Sequence, residues 1–104
     1  INKIMALQIN NNAGVYEILG ELNAQNINSL KNYFETLINE SNFIIISLNH
    51  LNYLDKNGFQ EIISLYKKAL SKNKVFYIVG HQNQKVVELF KEEKLSFLLN
   101  NNVA

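Results

Sequence analysis

Asn52-Tyr53-Leu54-Asp55-Lys56-Asn57-Gly58-Phe59 is the stretch whose reading decides the fold. Taken locally, Asn57-Gly58 is a strong hairpin signal. The residues after it tell against a hairpin. Phe59, Ile62, Ile63, Tyr66, Ala69 and Leu70 recur at three-to-four spacing, the period of one helix face. On the other side stands Phe43-Ile44-Ile45-Ile46-Ser47-Leu48, a β-branched run bounded by polar residues. The octapeptide is therefore a tight strand-to-helix turn, with Asp55 or Asn57 capping the helix. A helix start exposes free N–H groups and a partial positive charge, a place where a phosphate or an acceptor side chain can be held.

Working outward, Ile4 to Ile9 reads as a strand, Asn10-Asn11-Asn12-Ala13-Gly14 as a turn, and Val15 to Leu19 as a second strand closed by Gly20. Ile27, Leu30, Tyr33, Phe34, Leu37 and Ile38 mark a first amphipathic helix. The Phe43–Leu48 run suits a strand covered on both faces. Val75 to Val79 is a further buried strand ended by Gly80. Val86, Val87 and Phe90 mark a third helix, and Phe97-Leu98-Leu99 is a candidate for a last short strand. The order predicts an α/β fold. It would have a mixed, mostly parallel sheet of four to five strands, an N-terminal hairpin, three or more packed helices and right-handed crossovers.

A chain of 104 residues, 47% apolar, suits a single domain over residues 1–104 with a real core. Without cysteine there is no disulfide framework, thiolate metal site or cysteine nucleophile, which suits a reducing cytoplasm. The formal charge is +1, and Lys and Glu alternate rather than cluster. There is no basic stripe for nucleic acid and no polybasic anchor for a membrane. The longest apolar run, Phe43 to Ile46, is far too short for membrane insertion. Ile1 to Leu7 does not read as a signal peptide. The abundance of Asn, Lys and Ile points to an AT-rich bacterial genome.

Three segments together carry a resemblance. Gly20-Glu21-Leu22-Asn23 follows the second strand. Leu48-Asn49-His50-Leu51-Asn52-Tyr53-Leu54-Asp55 runs from a strand into an acidic residue. Val79-Gly80 is followed by Val87-Glu88-Leu89-Phe90. In order and spacing they resemble the STAS domain family, whose type members are bacterial anti-sigma factor antagonists, and the likeness runs from about Ile4 to Leu99. It implies a STAS-like fold and a non-catalytic protein-interaction module without a cofactor. The implied partner surface is Asn23, Tyr53, Asp55, Lys56, Asn57, Gly58 and Phe59. The implied partner is an anti-sigma factor of the serine-kinase type. The alternatives are a STAS subunit of another assembly, such as the cytoplasmic subunit of a lipid-transport ABC system, or a small-ligand sensing module. Weak homodimerisation is compatible with any of these.

The departures are as informative as the matches. In phosphorylated members of the family the turn reads Asp-Ser-Ser-Gly, and the Ser before Gly accepts a phosphate. Here those two positions are Lys56 and Asn57, and the Asp of the family's Gly-x-Leu-Asp is Asn23. Asparagine has no hydroxyl, so Asn57 cannot be phosphorylated. A phosphoserine would add about −1.5 to −2 charges. Neutral Asn57 imitates the unmodified state, which implies a module fixed in its binding-competent form or one whose control lies elsewhere.

Plainer readings stand beside these. Asp55 and Asn57 serve equally as cap and turn, and Asn23 as a loop residue. Asp-x-Asn-Gly is like part of a calcium loop, but setting Gly58 sixth puts Tyr53 first and Ser64 last, where carboxylates are required. His50 and His81 lie in separate loops without a second ligand at metal spacing, so no metal site is expected. Gly80-His81-Gln82 reads as a helix opening that could touch an anion, on the strength of a lone glycine. No nucleophile elbow is present, and one Asp beside a Lys is too little for catalysis. Asn57-Gly58 is also a pairing prone to deamidation, because glycine leaves the backbone open.

Overall fold

The apolar runs Phe43–Ser47 (β3) and Val75–Val79 (β5) lie side by side in parallel, Phe43 opposite Val75 and Ser47 opposite Val79. In this computed structural model, which describes residues 6–100, they form the centre and one edge of a five-stranded mixed sheet. β1 (Gln8–Asn12) and β2 (Val15–Leu22) make an antiparallel hairpin, and β2 pairs in parallel with β3. A short strand, β4 (Leu51–Leu54), continues along the same side of β2 beyond the end of β3. α1 (Ile27–Glu40) lies between β2 and β3, α2 (Lys56–Ser71) between β4 and β5, and α3 (Gln84–Glu92) follows β5. The α/β class and the mostly parallel sheet are as the sequence predicts. None of these helices is long and apolar enough to cross a membrane.

Strand residues alternate between faces, and one face receives the helices. Ile18, Ile44, Ile46, Phe76 and Ile78 from the sheet share a buried cluster with Leu30, Phe34 and Ile38 of α1 and Phe59, Ile62 and Leu65 of α2. Phe34 packs edge-on against Tyr16 and Phe76, at 6.0 and 6.5 Å. Phe59 and Phe90, 4.9 Å apart, fasten α3 to α2. Each such side chain contributes roughly 1.5–3 kcal/mol by leaving water.

Several sequence expectations need correction. β3 and β5 are not covered equally on both faces. Phe43 is 56% and Val75 39% exposed, with Ile45 and Tyr77 half-buried, so the continuous apolar run hides a one-sided strand. Ile4 lies outside the described residues, and the first strand extends through Asn10–Asn12 instead of stopping at Ile9. Its turn is Ala13 and Gly14 alone, at φ 53° and 88°, the paired left-handed conformation that suits a two-residue hairpin. Gly20 does not end β2. At φ 88° it carries an irregularity in register between Gly20 and Glu21, and the strand goes on to pair with β4. Gly80-His81-Gln82 precedes α3 and does not open it. Ser96–Leu98 is a single 3₁₀ turn, after which Leu99 alone bridges Ile78 in parallel.

Candidate functional site

The strand-to-helix turn is built on Asp55. Its backbone is extended (φ −90°, ψ 176°), and its Oδ1 accepts a hydrogen bond from the Gly58 N–H at 2.8 Å, the geometry of a helix N-cap. Of the two caps the sequence allows, Asp55 takes the role. Asn57 becomes the second residue of α2 and is exposed.

The second carboxylate oxygen of Asp55 reaches across 31 residues to accept from the Ala24 N–H at 3.2 Å, and the Asp55 N–H donates to the Leu22 carbonyl at 3.2 Å. One side chain thus joins the loop after β2 to the origin of α2. Asn23 lies in that loop, its Oδ1 accepting from the Gln25 N–H at 2.9 Å. Asn26 shapes the loop from below. Its Oδ1 accepts from the Asn23 N–H at 3.0 Å, and its Nδ2 donates to the Glu21 carbonyl at 2.7 Å. The structure therefore brings the Asn23 loop and the Asp55–Asn57 turn to one corner.

The seven candidate residues divide by burial. Tyr53 is 49% exposed, Lys56 and Asn57 are exposed, and Asn23 and Asp55 are half-buried. Gly58 and Phe59 are buried, Phe59 to 2%. Those two support the corner from within and offer no surface. A β-carbon on Gly58 would lie 2.8 Å from Leu22 Cγ, 2.9 Å from the Leu22 carbonyl oxygen and 3.0 Å from Leu54 Cδ1. Only glycine lets the helix start approach β2 and β4 so closely. Lys56 Nζ stands 3.5 Å from a carboxylate oxygen of Glu93 beyond α3, an exposed, screened pair of little energetic weight.

Two residues that sequence reasoning missed hold neighbouring structure in place. Asn26 is one. Asn83 is the other, its Nδ2 donating to the Leu48 and Leu51 carbonyls, both at 2.9 Å, and so fixing the loop between β3 and β4. Beside it lies an open cleft of about 610 Å³ lined by His50, Asn49, Gln82 and Lys85 among others. Among the described residues no group of three or more His, Cys, Asp or Glu side chains is placed to hold a metal ion. Displaced titration occurs on the helices. A hydrogen bond from Lys68 lowers Glu35 below the usual carboxylate range, and burial raises Glu61.

A family model described as the STAS domain matches residues 5–103. No curated protein matches the sequence. Among solved structures, the chain is similar to the anti-sigma factor antagonist SpoIIAA in its unphosphorylated form, with TM-score 0.73 and 16% identity over 94% of this chain and 89% of that one. An anti-sigma factor antagonist from Mycobacterium paratuberculosis superposes with TM-score 0.64 and 19% identity, over 94% and 87%. The complex of the diguanylate cyclase SiaD with its activator SiaC from Pseudomonas aeruginosa contains a similar chain, with TM-score 0.57 and 14% identity, over 88% and 84%. At these identities the likeness is one of fold.

Proposed function

The chain belongs to the STAS domain family, and from that premise we propose that it is a non-catalytic docking module acting on a protein partner through the corner formed by Asn23, Tyr53, Asp55, Lys56 and Asn57. The partner in this reading is an anti-sigma factor of the serine-kinase type. One observation carries the proposal. Asn57 sits exposed on the first turn of α2 and has no hydroxyl to accept a phosphoryl group; the sequence resemblance to the family puts the phosphorylatable serine at this position.

Physical reasoning supports the reading in two steps. A capped helix origin is rigid, so a partner meets a surface that costs little entropy to order. Asn57 adds no charge to that surface, whereas a phosphoserine there would bring about −1.5 to −2 charges that a partner can sense as release. With no phosphoacceptor at this position, phosphorylation cannot take the module out of the state that unmodified serine would give. Support for docking over chemistry comes from the corner itself, where a lone carboxylate is already committed to two backbone N–H groups. A carboxylate engaged as a helix cap and loop tie is placed for structure, and among the described residues the corner brings no second acid, base or nucleophile into hydrogen-bond contact with it.

Affinity capture from the source organism, with this chain as bait, tests the proposal. Recovery of an ATPase-fold, kinase-like protein that leaves residues 53–59 without phosphate in the presence of ATP is the expected result. Phosphate on that turn would contradict it. Capture of a transporter ATPase would instead favour the ABC-system assignment.

A further inference from the structure

Asn57-Gly58 is the chain's one Asn-Gly pair, and its surroundings bear on a reaction that the docking proposal does not use. Deamidation begins when the backbone nitrogen of the glycine attacks the side-chain carbon of the asparagine. The Gly58 N–Asn57 Cγ bond forms, the Cγ–Nδ2 bond breaks, and ammonia leaves with the amide proton. Water then opens the cyclic imide at either carbonyl, yielding aspartate or isoaspartate. The net change is asparagine plus water to acid plus ammonia, with no other co-reactant.

The fold opposes the first step and not the second. The Gly58 N–H is held at 2.8 Å by the Asp55 carboxylate, whose charge disfavours loss of that proton. The Phe59 N–H donates to the Asp55 carbonyl at 2.9 Å, which keeps this turn helical and the Gly58 nitrogen away from the Asn57 side chain. Gly58 is buried so closely against Leu22 and Leu54 that even a β-carbon would clash, which opposes the backbone shift that closing a ring at its nitrogen requires. The Asn57 side chain, by contrast, is exposed to the water that would complete the reaction.

We propose that Asp55 is the lock on a latent deamidation site: the Asn57-Gly58 pair is preserved while the first turn of α2 is capped and converts when that turn opens. Conversion replaces a neutral side chain with a negative one. In the isoaspartate form it also adds a methylene to the main chain, which cannot be fitted while Gly58 rests on Leu22. The isoaspartate product therefore does not return to the locked state, and since neither product regains the lost ammonia the modification is a one-way record that this corner has been open.

The test incubates the full chain at neutral pH and physiological temperature, following the Asn57 peptide by mass spectrometry and isoaspartate detection. Four samples are compared: native, native in urea, Asp55→Ala, and Asp55→Ser, which keeps an acceptor for the Gly58 N–H. Conversion should be slowest in the native and Asp55→Ser chains and fastest in urea. It should be about fivefold faster than native in Asp55→Ala, the rise in open turn that follows loss of a typical N-cap. Amide exchange supplies a second readout, with the Gly58 N–H protected in the native chain. Native conversion at the urea rate, a freely exchanging Gly58 N–H, or a folded Asp55→Ala chain converting at the native rate would overturn the proposal.

Discussion

Gly58 rests on Leu22 so closely that a β-carbon added to it would fall 2.8 Å from the Leu22 Cγ and 2.9 Å from the Leu22 carbonyl oxygen. The contact seats the origin of α2 on the end of β2. Gly58→Ala must push the helix start outward, because a backbone carbonyl cannot give way as a side-chain tip can. Overpacking of this kind costs about 1–3 kcal/mol. Urea unfolding should show a lower midpoint at unchanged slope, and an unaltered midpoint would mean that the helix is free to slide.

Asp55 contributes through two bonds of different reach. The bond to Gly58 is a local cap, and the bond to Ala24 ties together segments 31 residues apart. Loss of the cap alone costs about 1 kcal/mol, so Asp55→Ala should destabilise by at least that. Asp55→Ser, which retains a capping oxygen, should recover part of it. Equal stability of the two variants in thermal melts would place the effect in the Ala24 bond alone.

The seam between α1 and α2 sets an acid dependence through two carboxylates whose pKa values move in opposite directions on folding. The Lys68 hydrogen bond, 2.6 Å long, depresses the Glu35 pKa on folding. Its contribution is present above the unfolded pKa and lost as the pH falls through the folded one. Burial raises Glu61, so its contribution favours the fold in acid and is lost as the pH rises through the folded pKa. Glu35→Gln should therefore lower the melting temperature at neutral pH, and Glu61→Gln should raise it. Both differences should shrink below about pH 4, where glutamate is protonated in the unfolded chain. A Glu61→Gln difference that persisted unchanged in acid would point to packing instead of charge.

Much of this was legible in the sequence where the signal is local. Asp55 and Asn57 ahead of a helical period mark a cap without deciding between them, and the β-branched runs mark β3 and β5. What escaped depends on partners distant in the chain. Asn10–Asn12 have the composition of a turn, yet pairing with Val15, Tyr16 and Glu17 draws them into β1. β4 has four residues, two of them exposed, and owes its existence to the place along β2 that the irregularity at Gly20 leaves for it. A run such as Phe43–Ile46 says nothing of how many of its faces are covered. At the site, exposure was the illegible property. Gly58 and Phe59 belong to the same motif as Asn57, but the helical turn carries them inward. Asn83 reads as an ordinary loop residue until the carbonyls of Leu48 and Leu51, 35 and 32 residues away, are seen to need its amide.

The central claim, that the exposed start of α2 is offered to a protein partner with no phosphoacceptor at Asn57, is tested most directly by calorimetric titration. The captured partner would be titrated with the native chain and with Asn57→Asp. The account expects the added carboxylate to weaken binding by about tenfold or more, or about 1.4 kcal/mol, while Lys72→Ala on the α1–α2 flank leaves affinity unchanged. Equal affinity of the native and Asn57→Asp chains would contradict it.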